Sequence, residues 1–211
     1  MFERVKGLAK TSLYTQRWRH GLMLTLLLFV CVSTSAFGQS EGWTGTALQF
    51  ASADSTYAGP AVALAVLSES GNPLGSGTMR EDGTFDIAFD SNQVTAALKP
   101  LSEICVGTDA VGQLLLTTVA TVSDISSGEA YGQLQASSSG TVLFHVYSPE
   151  SLSLKASCAD GSSLDLTLSG GWNLAELTAQ AGSPGLVSLP SSASVQWIFF
   201  PNELWMSRYL P

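Results

Sequence analysis

Large apolar residues recur at every second position in the segment TFDIAF, Thr84–Phe89, which directly follows the turn sequence EDG. Side chains on a strand point alternately to its two faces, so these large apolar residues share one face and Asp86 and Asp90 share the other. Gly83 can adopt the positive φ that a tight hairpin needs, and Asp82 before it favours a turn through its short side chain. The segment therefore predicts a β-hairpin with one apolar, buried face. The two aspartates are expected to be solvated strand residues on the opposite face.

The chain after residue 42 repeats this rhythm of short strands and turn residues. A second hairpin is predicted at ADGS, Ala159–Ser162, after which the leucines of SLDLTL face inward while Asp165 and Thr167 face water. Short strands broken by Gly, Pro, Asn, Asp and Ser favour antiparallel sheets over parallel βαβ units. We therefore expect an all-β fold of one or two packed antiparallel β-sandwiches. The candidate strands are Trp43–Phe50, Ala61–Leu67, Gly77–Arg80, Thr84–Phe89, Gln113–Val122, Gly132–Ser137, Thr141–Tyr147, Leu152–Cys158, Ser163–Leu168, Trp172–Thr178 and Ser194–Phe200.

Helices are predicted at two places only. One covers Val94–Ile104, and the other is the C-terminal ELWMSRYL, which Asn202 would cap after a proline. A boundary between residues 104 and 112 divides the remainder into a first β-domain, 39–106, and a second, 107–211. A single continuous sandwich is the alternative.

The first 38 residues differ in composition from everything that follows. Basic residues precede an apolar run within Gly21–Gly38, which ends in small and polar residues, as a secretory signal peptide requires. Gly38 and the alanine two positions before it predict a cut before Gln39. An uncleaved anchor is the competing interpretation, because about 18 weakly polar residues is the lower limit for crossing a bilayer. Lipidation of Cys31 is disfavoured, because a bulky valine precedes it.

Removing this segment makes the chain strongly acidic. The segment holds five of the nine Lys and Arg and one of the 17 Asp and Glu, which leaves four basic and 16 acidic residues, a net charge of −12. Such a charge repels phosphate backbones and anionic lipid, so it disfavours nucleic acid and membrane surfaces as partners of the mature chain.

Two cysteines, Cys105 and Cys158, remain after cleavage. An even pair in an exported chain predicts a disulfide, and a bridge over this separation would stabilise the fold by roughly 4 kcal/mol. Two buried free thiols are the alternative.

No catalytic, cofactor-binding or metal-binding residues are predicted. His145, the only histidine of the mature chain, lies within an apolar strand and is expected to be structural, and no G-x-S-x-G nucleophile elbow occurs. One histidine and two distant cysteines are too few for zinc. Calcium at Glu81, Asp82, Asp86 and Asp90 is a minority alternative, since the spacing does not fit an EF-hand and the last two lie roughly 13 Å apart along a strand.

A surface row of tryptophans would offer a platform on which sugar rings stack. Trp172 and Trp197 lie in apolar strands, which favours core packing. Trp205 and Tyr209 are one helical turn apart and are expected to dock on the sheet rather than to await a partner. Core packing is therefore the expectation for these aromatic residues.

Segments between Trp43 and Phe89 resemble the carboxypeptidase-regulatory-like, or transthyretin-like, β-sandwich. The features that carry the resemblance are a strand with Gly-Thr, an inward strand A-V-x-L and a hairpin segment that ends in D-G-x-F, here Gly45–Thr46, Ala61–Leu64 and Thr78–Phe85. The match implies a non-catalytic extracellular module, although YAGP stands where the family has a P-L-x-G-A lead-in. The segment LSGGWNLAEL, Leu168–Leu177, is similar to uncharacterised bacterial envelope β-proteins, which implies no activity.

Together these observations predict a secreted, acidic, non-catalytic β-protein with a structural or interaction role in the bacterial cell envelope or its surroundings. A carbohydrate- or ligand-binding module is the first alternative, and an enzyme built from scattered carboxylates is the second. The partner would be a protein or a glycan. No cofactor and no membrane association after cleavage are expected.

Overall fold

The computed structural model describes residues 42–50, 52–180, 183–190 and 192–209. The predicted signal segment, with Cys31 and the junction Gly38–Gln39, lies outside these ranges. The strands are β1 Gly42–Gln49, β2 Ser52–Thr56, β3 Val62–Leu67, β4 Pro73–Met79, β5 Thr84–Phe89, β6 Lys99–Pro100, β7 Gln113–Thr117, β8 Val119–Asp124, β9 Ala130–Ser138, β10 Thr141–Ser148, β11 Leu152–Ser157, β12 Ser163–Leu168, β13 Gly171–Gln180, β14 Ser183–Ser188 and β15 Gln196–Pro201. The helices are α1 Ser91–Ala96, α2 Leu101–Ile104 and α3 Glu203–Tyr209.

Seven strands close into a barrel. Their order is β9-β15-β1-β5-β4-β3-β8, and β8 pairs again with β9, which joins the two ends. The all-β prediction is confirmed, but a sandwich is not, because this closure leaves no pair of separate facing sheets. The expectation of purely antiparallel pairing is wrong at two places, since β1 pairs in parallel with β15 and β12 with β14.

Hydrogen bonds between strands also cross the predicted domain boundary at residue 106. β1 lies beside β15, β3 beside β8, and β6 beside β7, so strands from 39–106 and 107–211 share the same sheets. The paired strands before and after residue 106 therefore bury their apolar faces in common.

Apolar side chains from these strands form the larger of two hydrophobic clusters. A barrel of this size has an interior that side chains can fill. The cluster also takes in residues of the second sheet, so it continues beyond the barrel. Its fully buried members include Val62, Val66, Met79, Ile87, Ala120, Val122, Leu134 and Phe199.

A second sheet grows from the barrel through β10. The first residues of β10, Thr141 and Val142, pair with β9, whereas Leu143–Ser148 pair with β13 and β7. The sheet order is β11-β12-β14-β13-β10-β7-β6. Residues from its two ends, Leu114 in β7 and Leu154 in β11, belong to one buried cluster, so the sheet curves around a core of its own.

Both predicted hairpins are confirmed. Gly83 has φ +81° and Gly161 has φ +85°, as the turns require. In each turn the aspartate before the glycine accepts a hydrogen bond from the backbone N–H two residues on, at 2.9 Å from Thr84 to Asp82 and at 2.9 Å from Ser162 to Asp160. Each turn is therefore determined by its own aspartate and glycine, independently of the rest of the fold.

The single helix expected over Val94–Ile104 is wrong. The chain forms α1, then the two-residue strand β6, then α2. Pro100 explains the break, because its ring lacks an N–H and disfavours helical backbone at the residue before it. Lys99 and Pro100 pair instead with Leu114 and Gln113 of β7.

The C-terminal helix α3 forms as predicted and docks on the barrel. Asn202 caps it by accepting a hydrogen bond from the Trp205 N–H at 3.0 Å. The Trp205 side chain is completely buried and packs against Tyr57 and Phe199, with ring centroids 6.2 and 5.2 Å apart. Arg208 adds an ion pair to Glu129 at 2.9 Å. The predicted docking of Trp205 is confirmed.

Candidate functional site

The three aspartates of the Glu81–Asp90 segment have local structural partners. Asp82 accepts from the Thr84 hydroxyl at 2.6 Å, which with the Thr84 N–H lowers its pKa. Asp86 is exposed and faces Arg80 at 3.4 Å. Asp90 caps α1 by accepting from the N–H groups of Asn92 and Gln93. Asp90 is therefore a helix cap rather than the strand residue that the alternation predicts.

The His145 ring packs against two indole rings at the junction of the barrel and the second sheet. Its ring centroid is 3.8 Å from that of Trp43, at 27° between the planes, and 5.1 Å from that of Trp197, at 19°. Only 3% of the residue is exposed. The sequence predicts a structural histidine in an apolar strand, and its position in this aromatic stack agrees with that prediction.

The environment of His145 keeps its imidazole neutral. Burial lowers its pKa to about 3, because the charged form would lose its hydration without gaining a counter-charge. Its Nε2 atom has no hydrogen-bond partner among the described residues. A general base needs a substrate within hydrogen-bond reach. This ring is instead covered by Trp43 and Trp197.

The tryptophans form no exposed row on the described surface. Trp43, Trp172 and Trp205 are buried, and Trp197 is half-buried against Phe85 and His145. Sugar rings stack on accessible aromatic faces. The faces of these tryptophans instead pack against other aromatic side chains of the protein. The aromatic cluster therefore stabilises the junction between the barrel and the second sheet.

The two cysteines meet at the edge of the second sheet. The Sγ atoms of Cys105 and Cys158 are 2.05 Å apart, at disulfide-bonding distance. Beside them the N–H of Ala159 donates to the carbonyl of Val106 at 2.7 Å. This covalent link ties α2 to the hairpin of β11 and β12, closing the curve of the second sheet.

An open groove of about 740 Å³ lies where the barrel meets the second sheet. Residues 68–70 of the β3–β4 loop, residues 96–99 and 103–104 around α1 and α2, and residues 114–116 of β7 line it. A hydrogen bond from Ser68 N–H to the Asn72 carbonyl, at 2.8 Å, closes the loop, and Gly71 supplies its positive φ. Its volume is within the range typical of ligand pockets.

The groove has an apolar floor and a charged rim. Leu114 and Leu115 are buried beneath it, while the side chains of Glu69 and Lys99 form an ion pair across the rim and are 78% and 42% exposed. Glu103 is also exposed and lies beside them. An apolar base with a few polar groups is the usual composition of a binding site, so this groove is the candidate site.

Sequence reasoning missed this groove. Its residues are separated along the chain. The helix that the sequence predicts over Val94–Ile104 also excludes the strand β6, which brings Lys99 to the rim. Pro100 was the one available signal, since a proline inside a helical pattern marks a break. No pattern could indicate that the loop at Glu69 would lie beside it.

Within the described ranges no group of three or more His, Cys, Asp or Glu side chains is placed to hold a metal ion. Nor is any helix in this part of the chain long and apolar enough to cross a membrane. Comparisons with protein-family models, curated proteins and solved structures found no match. The resemblance to the transthyretin-like family remains a prediction.

Proposed function

We propose that the mature chain is a secreted, non-catalytic interaction protein whose partner binds in the groove beside β7. The observation that carries this proposal is the convergence of three separate segments, with Glu69, Lys99 and Glu103, over an apolar floor. Such a combination gives a partner both apolar area and oriented polar contacts.

The proposed location outside the cytoplasm is supported by two features. The basic and then apolar composition of residues 1–38 is that of a signal peptide. The bonding distance between Cys105 and Cys158 suits an oxidising compartment, where disulfides persist. Both features support the proposed place in the bacterial cell envelope or its surroundings.

A non-catalytic role is supported by the positions of the titratable groups. His145 is covered by two indoles, and the exposed aspartates Asp82, Asp90 and Asp160 are engaged in turns and a helix cap. A binding role requires none of these groups, only the groove and the rigid sheets that hold it.

Site-specific photocrosslinking in the producing cells tests the proposal. Benzoylphenylalanine at Ala96, an exposed groove residue, is expected to give a discrete adduct, and the same group at Ala179, exposed on β13, is expected to give none. Glu103→Lys should weaken the Ala96 adduct. Equal adducts from both positions, or none from either, would refute the groove as the binding face.

Intact mass of the exported protein, with and without reductant, tests the location. The expected mass is that of a chain beginning at Gln39, with a gain of two hydrogens on reduction of Cys105–Cys158. A full-length mass would show that the segment stays attached and contradict cleavage.

A further inference from the structure

The strand β7 is paired unequally on its two sides. On one side β10 covers Leu115, Leu116 and Thr117. On the other side β6 covers only Gln113 and Leu114, because it is two residues long. Beyond β6, Leu115 and Leu116 line the groove.

The backbone of Leu116 points into that groove. The Leu101 N–H donates to the Gly112 carbonyl at 3.0 Å, so Gly112 directs its hydrogen-bonding groups toward the β6 side. Along an antiparallel strand these groups alternate between the two edges, which gives Leu114 and Leu116 the same direction as Gly112. Leu114 meets β6, whereas no described residue pairs with Leu116 on this side.

The β6–β7 pairing ends before it reaches Leu116. Continuing the β6 register from Lys99 opposite Leu114 would place Ala97 opposite Leu116. The Ala97 N–H instead donates to the Gln93 carbonyl at 3.1 Å and ends α1. The helix end therefore forms the far wall of the groove, and the missing strand would occupy the space between.

The charge of the surroundings indicates what such a strand would carry. Glu69 is paired with Lys99, which leaves Glu103 as the uncompensated charge at the rim. The described ranges as a whole hold 15 acidic and four basic residues. An extended segment with lysine or arginine would be attracted to this edge, and an acidic one would be repelled.

We infer that the groove takes an extended, basic peptide segment of a partner protein, which adds as a strand to the free edge of β7. This inference rests on the proposed function and specifies its partner. The backbone of the peptide would supply the hydrogen bonds that Leu116 lacks, and alternate side chains would face the apolar floor and Glu103.

The probe is a hexapeptide that alternates lysine and valine, blocked at both ends. The free protein should show fast amide hydrogen exchange at Leu116, and the peptide should slow it by about tenfold or more at saturation. Ala96→Trp, which fills the groove from an exposed helix position, should weaken binding by about tenfold or more, whereas the matched Ala179→Trp should leave it within about twofold.

Two further peptides separate the inference from the proposed function. Methylation of alternate backbone nitrogens should abolish binding, and replacement of lysine by glutamate should weaken it by about tenfold. If either altered peptide binds as well as the first and Ala96→Trp still blocks it, the groove remains a binding face but strand addition by a basic segment is wrong. Absence of saturable binding up to about 1 mM also overturns the inference. The proposed function is tested independently by the crosslink at Ala96.

Discussion

Protonation of His145 should make the fold sensitive to mild acid. Burial against Trp43 and Trp197 lowers the pKa of this imidazole to about 3, whereas in an unfolded chain its pKa would be about 6.5. Above about pH 6.5 both states are neutral and the group has no effect. Between about pH 6.5 and pH 3 only the unfolded state binds the proton, so stability falls as the pH falls.

The magnitude follows from the difference in pKa. At about pH 4.5, two units below the unfolded-state pKa, His145 is protonated in the unfolded state and still almost entirely neutral in the folded state. The free energy of unfolding is therefore lowered by about 2–3 kcal/mol. Asp82, Asp124 and Asp160 also have lowered pKa values, through hydrogen bonds from neighbouring serine, threonine and backbone groups. Their contribution is lost mostly below about pH 4, outside the interval between pH 7 and pH 4.5 in which the effect of His145 is measured.

The assay is urea unfolding followed by tryptophan fluorescence at about pH 7 and pH 4.5, on the wild type and on His145→Phe. The phenyl ring keeps the aromatic stack but cannot titrate. The wild type should lose about 2–3 kcal/mol more than the variant between the two pH values. Equal losses in both proteins would show that His145 is not held neutral by burial, which would refute the reasoning.

Three other perturbations have expected outcomes in the same unfolding assay. Gly83→Ala should lower the free energy of unfolding more than Gly161→Ala does. The positive φ makes each substitution unfavourable by about 1–2 kcal/mol, but of the two only Gly83 would bring a Cβ to 2.9 Å from a backbone oxygen. Equal losses of stability in the two variants would contradict this. Trp205→Ala should cost about 3–5 kcal/mol, and a loss under about 1 kcal/mol would show that the helix does not dock. Reduction of Cys105–Cys158 should cost roughly 4 kcal/mol, and an unchanged urea midpoint would argue against a bridge.

Local features were predictable because few residues determine them. The two hairpins follow from a glycine with positive φ, an aspartate before it and a strand with period-two alternation, and β5 was predicted at its observed bounds. The cap of α3 by Asn202 is equally local. In each case the interacting groups lie within a few residues, so the sequence order itself supplies the contact.

Non-local features could not be predicted in the same way. The segment Gln113–Val122 reads as one strand, yet Thr118 separates β7 from β8, which enter different sheets. The parallel pair β1–β15 joins residues roughly 150 positions apart, a distance at which periodicity carries no information about partners. The groove depends on the separation of β7 from β8, because residues of β7 line it beside the β3–β4 loop of the barrel.

The position of β15 also has a consequence for how the protein is made. It lies between β1 and β9, so the barrel is open at that position until residues 196–201 have been made. During synthesis the edge of β1 that pairs with β15 stays unpaired until then, and exposed strand edges favour wrong pairing. Closure of the barrel therefore depends on β15, and deletion of β15 and α3 should yield an aggregating product rather than a smaller barrel.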